Sequence, residues 1–227
     1  LMIGPQTSFD LVHVGKCGGG TVVQELVPRG YQFEKFHLRR PVAAADRRFV
    51  ILVRDPVARF VSAYNWRQLV MHDESFPAVG PEDPVKQLRH DTERAFLSLF
   101  PDVNTFAEKL VAGGTWDVSP ITTLMQLIGH VPQGFAWYLD ELLDRIEPGQ
   151  LLGVIATERF ADDFESLFGF RPTASRHRNE ASLPTNLSPA GRANLVRQFA
   201  GEYRTLARLA DLARRAGRPM SMEYVAA

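Results

Sequence analysis

Three short, mostly apolar runs restrict what this chain can fold into: Leu11–Val14, Phe49–Val53 and Leu151–Ala156. Continuous apolarity over so few residues suits a strand covered on both faces, as in a parallel sheet. A helical pattern follows each run. Behind the first lie a glycine-rich turn and Thr21–Val27, stopped by Pro28. Behind the second, Asp55-Pro56 reads as a cap and first helical residue, and Val57, Val61 and Tyr64 recur at helical period to about Met71. Behind the third, Phe160, Phe164, Leu167 and Phe168 share a face ended by Gly169. Alternation of this kind implies an α/β domain with a mainly parallel central sheet flanked by helices.

Further helices are expected at Val103–Ala112, Ile121–Ile128 and Trp137–Ile146. One long C-terminal helix is expected, capped by Ser188, started by Pro189 and ended at Gly217 and Pro219, with Leu195, Phe199, Tyr203, Leu206 and Leu209 facing inward. From His72 to Pro101 the prolines at 77, 81 and 84 and Gly80 break any period. That stretch reads as a variable insertion or lid within a single domain spanning 1–227. The 26 basic and 26 acidic side chains cancel, which argues against a general nucleic-acid binder. No apolar run reaches the ~20 residues of a membrane span, and the first ten residues carry no secretory pattern. The one cysteine, Cys17, cannot form an internal disulfide. These features together give the expectation of a soluble cytoplasmic protein; the sequence carries no sign of its oligomeric state.

Two segments carry chemistry. In Val12-His13-Val14-Gly15-Lys16-Cys17-Gly18-Gly19-Gly20-Thr21, a strand meets a helix through a turn in which successive N–H groups can face one anion. Lys16 adds a mobile charge and Thr21 a hydroxyl. The lysine precedes the glycines, so the segment does not match a Walker A loop, and it lacks a well-formed G-x-G-x-x-G. Cys17 is either a nucleophile or a small residue packed in the turn. The second segment is Arg54-Asp55-Pro56-Val57-Ala58-Arg59-Phe60-Val61-Ser62-Ala63-Tyr64. Arg54 leaves the end of a buried strand, where ligands gather in open α/β sheets. Ser62 follows on the helix, on the face of Arg59. A guanidinium with a hydroxyl suits a phosphate; the alternative is an Arg54 paired to an acid and an ordinary helical serine.

Together the two segments resemble the 5′-phosphosulfate loop and 3′-phosphate motif of sulfotransferases that use 3′-phosphoadenosine-5′-phosphosulfate (PAPS), above all the carbohydrate-type family 2. That group's motifs run P-K-[TC]-G-G-T-[ST] and R-D-P-x-x-R-x-x-S-x-Y. The second is complete from Arg54 to Tyr64; in the first, Gly15 and Gly20 stand where the family has proline and threonine. Tyr31–Pro41, with His37-Leu38, resembles the family's G-H-[LV] segment, with Phe36 in the glycine's place. Thr157–Phe160 with Asp163-Phe164 is similar to its strand-plus-E-x-[FL] block, and Ser175–Asn179 to its late basic loop. The resemblance implies a P-loop-like domain; because the sequence shows neither membrane anchor nor disulfide potential, a bacterial cytoplasmic enzyme is expected. It would move a sulfonate in line to a hydroxyl or amine of a carbohydrate or small molecule, without a metal.

The resemblance also implies roles. Lys16 would stabilise the leaving 5′-phosphate, and Cys17, Gly18, Gly19, Gly20 and Thr21 would cradle it. Arg54 and Ser62 would hold the 3′-phosphate, with Arg176 and Arg178 assisting. His37 is the candidate general base and His177 its rival, while His13 is expected in the core and Glu158 as an anchor. Trp66, Trp116, Phe135, Trp137 and Tyr138 either line an acceptor pocket or belong to the core. Two other readings stand beside this one: a nucleotide-dependent phosphotransferase, and a non-catalytic PAPS- or nucleotide-binding module.

Overall fold

Every side chain from Phe49 to Val53 is buried in a computed structural model of the chain, which describes residues 2–72, 83–110, 120–173, 183–218 and 220. In chain order the elements are β1 (Phe9–His13), α1 (Gly19–Leu26), β2 (Phe33–Phe36), β3 (Phe49–Val53), α2 (Pro56–His72), α3 (Pro84–Leu99) and α4 (Val103–Lys109). There follow α5 (Pro120–Met125), α6 (Phe135–Leu143), β4 (Leu151–Ala156), α7 (Phe160–Phe168), α8 (Pro189–Gln198) and α9 (Ala200–Arg215). The architecture is α/β, with a four-stranded, all-parallel sheet in the order β2-β1-β3-β4, flanked by helices. The described chain separates into two compact units. One comprises residues 1–56, 133–176 and 201–227; the other comprises 57–132 and 177–200.

The first unit holds the sheet. Leu11, Val12 and Phe49–Val53 form its centre, and α1, α6, α7 and α9 pack on it through Val22 and Leu26, Phe135 and Leu139, Phe164 and Leu167, and Leu206 and Leu209. Chain direction explains the site. From β1 the chain steps outward to β2, then returns past β1 to β3, so the carboxyl ends of β1 and β3 flank the point where strand order reverses. Open parallel sheets present their ligand crevice at such a point. On the β2 side, Arg47 bonds both Asp10 of β1 (2.8 Å) and Glu34 of β2 (2.7 Å). Burial pushes the Asp10 carboxyl above its ordinary range, against the pull of Arg47.

The second unit is helical around an aromatic cluster. Phe60, Tyr64, Phe96, Phe100, Phe106 and Phe199 lie with successive ring centroids 5.4–5.8 Å apart. The Tyr64 hydroxyl donates to the Phe100 carbonyl. Arg67 grips Glu93 in a two-bond fork (2.6 and 2.7 Å), and Glu93 also accepts the Gly129 N–H (2.9 Å). Asp102 caps α4 by accepting from the Thr105 N–H, and Ser188 caps α8 through the Gly191 N–H.

Several expectations change. The first strand begins two residues earlier than its apolar run, at Phe9. Residues 84–99, read as part of a loop insertion, form α3, capped by Asp83 with Pro84 in its first turn; 73–82 lie outside the described residues. The long terminal helix is two helices, because the chain leaves helical geometry at Phe199 (φ −97°, ψ 16°). Strand β2 was not expected at all.

Candidate functional site

The turn between β1 and α1 is shaped by its own packing before any ligand is considered. Gly18, preceding α1, is left-handed (φ 80°) and faces the Phe160 ring; a methyl there would lie 3.0 Å from Cε2. Gly19 admits no side chain at all. A Cβ would fall 2.1 Å from Cδ2 of His13 and 2.3 Å from its Cγ and Nε2. Two of the three glycines therefore have structural causes. Gly20 follows Gly19 in the first turn of α1, and the N–H groups of both have no intrahelical acceptor by position. Thr21 and Val22 donate to the Gly18 carbonyl (3.0 and 3.3 Å). Lys16 is also left-handed, at φ 71°, an uncommon state for a residue with a side chain.

Cys17 points into the core. It is fully buried, its N–H donates to the Val14 carbonyl (3.3 Å), and its thiol faces the Gly15 carbonyl at 3.8 Å. Of the two readings open for this cysteine, that of a small residue packed in the turn fits this burial.

Arg54 projects from the end of β3 and turns toward β1. Its Nη1 donates to the Lys16 carbonyl at 3.2 Å, which joins the two sequence motifs across the strand-order reversal. The strand ends around it are tied down. Glu158 accepts the Asp55 N–H (2.9 Å), Thr157 donates its hydroxyl to the Val53 carbonyl (3.0 Å), and Tyr203 donates to the Asp55 carboxylate (2.8 Å). Asp163 accepts the Ala156 N–H at 3.0 Å, and burial raises its pKa. Glu158 is thus the anchor expected from the sequence.

His37 follows β2 and stands against the end of β1. Its Nδ1 lies 3.0 Å from the His13 carbonyl oxygen, and the two imidazoles stack with centroids 4.3 Å apart and planes 19° apart. A carbonyl only accepts, so Nδ1 carries the proton and Nε2 is the basic nitrogen of the neutral ring. Leu38 beyond it is left-handed (φ 61°), and its N–H donates to the Tyr138 hydroxyl at 2.9 Å. The part played by His13, which touches both Gly19 and His37, had no sequence signal: a histidine late in an apolar run reads as core.

The remaining candidates are placed as follows. Ser62 and Arg59 are buried in the helical unit, where Arg59 donates to the His130 carbonyl at 2.8 Å. Phe135 and Tyr138 belong to the core of the sheet unit, Trp137 is half-buried beside Arg40, and Trp66 is half-buried on α2. Arg176, His177, Arg178 and Trp116 lie outside the described residues. Among the described residues no group of three or more His, Cys, Asp or Glu is arranged to hold a metal ion, and no helix is long and apolar enough to cross a membrane.

A helix N-terminus, a lysine and an arginine at the carboxyl ends of β1 and β3 form a receptor suited to an anion, and an imidazole with a basic Nε2 stands at the end of β1. No family model, curated protein or solved structure matches this chain.

Proposed function

We propose that the protein is a sulfotransferase that takes the sulfonate of PAPS to a hydroxyl or amine of a carbohydrate or small-molecule acceptor. The observation that carries the reading is the Arg54 guanidinium on the Lys16 carbonyl, which brings the two motif segments together at the reversal point of the sheet. The residues fit a phosphosulfate donor: N–H groups of Gly19 and Gly20 for phosphate oxygens, Lys16 for charge on the leaving phosphate, and Arg54 for bidentate phosphate contact. Ser62, Arg176 and Arg178 join this set on the strength of the sequence motif alone.

Bound there, PAPS supplies an activated sulfuryl group on a good phosphate leaving group. The chain's tasks are alignment and charge. His37 Nε2 accepts the proton of the acceptor oxygen as that oxygen attacks sulfur. The bond from sulfur to the 5′-phosphate oxygen breaks, Lys16 balances the charge left on that phosphate, and adenosine 3′,5′-bisphosphate departs.

Thermal unfolding with adenosine 3′,5′-bisphosphate, without Mg²⁺, tests the reading. At a concentration near 100 Kd a ligand adds about 2.7 kcal/mol, or roughly 5–11 °C in Tm for a chain of this length. ATP should give much less. No shift with the bisphosphate would rule the sulfotransferase reading out, and a shift preferring Mg²⁺-ATP would favour a phosphotransferase. Bisphosphate binding without sulfate transfer to any of a panel of sugars, phenols and amines would favour a binding module.

A further inference from the structure

Leu38 holds a conformation that its own side chain does nothing to favour. A left-handed backbone at a residue of this kind costs about 1–2 kcal/mol, and the leucine side chain, 60% exposed, recovers little of that by burial. The compensation comes from elsewhere. Tyr138 is buried on α6, in the core of the sheet unit, in a T-shaped pair with Trp137 whose ring centroids lie 4.7 Å apart. Its hydroxyl accepts the Leu38 N–H at 2.9 Å. Phenylalanine would fill the same core volume but could not accept this bond. One residue before the latch is His37, whose Nδ1 bond to the His13 carbonyl and stack on the His13 ring both depend on where the backbone sets the imidazole down.

We propose that Tyr138 is a positioning residue for His37: its hydroxyl pins the left-handed turn at Leu38 and so keeps the imidazole proton on Nδ1 and the basic lone pair on Nε2. The functional weight of this arrangement rests on His37 being the proton acceptor of the reaction proposed above. The physical claim about the tautomer does not. Which ring nitrogen of a histidine carries its proton is set by the bond the other makes, and here that bond is one backbone turn away from the Tyr138 hydroxyl.

The test is ¹⁵N NMR of the full chain with labelled histidine, His37 being identified by the resonances missing in His37→Gln. The wild-type ring should appear as the Nδ1–H tautomer at pH 8. In Tyr138→Phe, which conserves core volume, the Nδ1–H fraction of the neutral ring should fall by about twofold or more as Nε2–H becomes populated. Leu38→Pro, an exposed change that removes the N–H and forbids positive φ, should do the same without touching the core. In Tyr138→Phe/Leu38→Asn the fraction should recover, because asparagine tolerates the left-handed state. A folded Tyr138→Phe or Leu38→Pro with unchanged His37 resonances would overturn the proposal. Bisphosphate affinity of wild type and Tyr138→Phe, measured alongside, should agree within about twofold, since the latch acts on the base. Absent binding in both would defeat the sulfotransferase reading and leave the tautomer result standing. Normal binding with an unmoved tautomer would defeat this proposal alone.

Discussion

Replacing Gly19 by alanine puts a methyl group where the His13 ring already is. The new carbon would sit 2.1–2.3 Å from three ring atoms, including Cγ, which cannot swing aside as the tip of a long side chain can. Carbon atoms rest at about 3.5–4.0 Å, so the ring or the start of α1 must retreat by about 1.5 Å. Overpacking of this kind costs about 1–3 kcal/mol, while alanine in place of glycine within a helix returns up to about 1 kcal/mol. A net loss of about 1–2 kcal/mol is expected, lowering Tm by roughly 2–8 °C for a chain of this size. The cause is isolated by a double-mutant cycle with His13→Ala under urea unfolding. With the ring removed, the methyl has room, so Gly19→Ala should become neutral or mildly stabilising, with a coupling energy of about 1–3 kcal/mol. Equal costs in both backgrounds would show that the His13 ring is not what excludes a side chain at position 19.

Other predictions follow from the same geometry. Arg54→Ala should weaken adenosine 3′,5′-bisphosphate by about 10–100-fold in calorimetric titration, the loss of a charge-assisted pair of bonds, with little change in far-UV circular dichroism. Arg67→Ala strands the buried Glu93 carboxylate and should cost about 3–5 kcal/mol in urea unfolding; Arg67→Ala/Glu93→Gln should recover part of it. Asp102→Ala should remove about 1 kcal/mol of cap energy at pH 7. Thr105 holds the Asp102 carboxyl below its ordinary value of 3.8, so in the wild type this contribution is complete at neutral pH and is lost as pH falls through the depressed folded value; the wild-type and mutant stabilities should therefore converge in acid. Cys17, wholly buried, should react with iodoacetamide only as fast as the sheet unit opens, and denaturant should speed the reaction sharply.

Strands β3 and β4 were legible because both are covered by packing and so carry unbroken apolar runs that composition alone exposes. Strand β2 was not. Phe33-Glu34-Lys35-Phe36 lies at the sheet edge with only Phe36 buried, and so short an alternation differs little from a loop. Helix α3 hid for a related reason: Glu93, Phe96 and Leu97 are its buried residues, too few and too late in the helix to register as a stripe. The end of α7 was readable because the left-handed Gly169 marks it, whereas α1 begins at Gly19, two residues before the Thr21 expected. At the site, the sequence supplied the residues at the strand ends but not their reasons. Gly19 reads as room for a ligand, whereas the ring of His13, six residues earlier, excludes its side chain. Nothing in the order of amino acids announces that a histidine will stack on another 24 positions later, or that Arg54 will reach the carbonyl, not the charge, of Lys16.

The sheet unit is assembled from three separated stretches of chain, and this has a consequence for its synthesis. Strand β3 leaves the ribosome before its neighbour β4, which begins only at Leu151, and the core is not closed until α9 contributes Leu206, Leu209 and Leu212. At about 5–20 residues per second, the roughly 100 residues between β3 and β4 take on the order of ten seconds to appear. For that interval Phe49–Val53 is an apolar strand with one edge open, and the turn bearing Lys16 stands beside an incomplete frame. The strand ends that carry Lys16 and Arg54 are therefore written well before the strand and helix that complete the sheet around them.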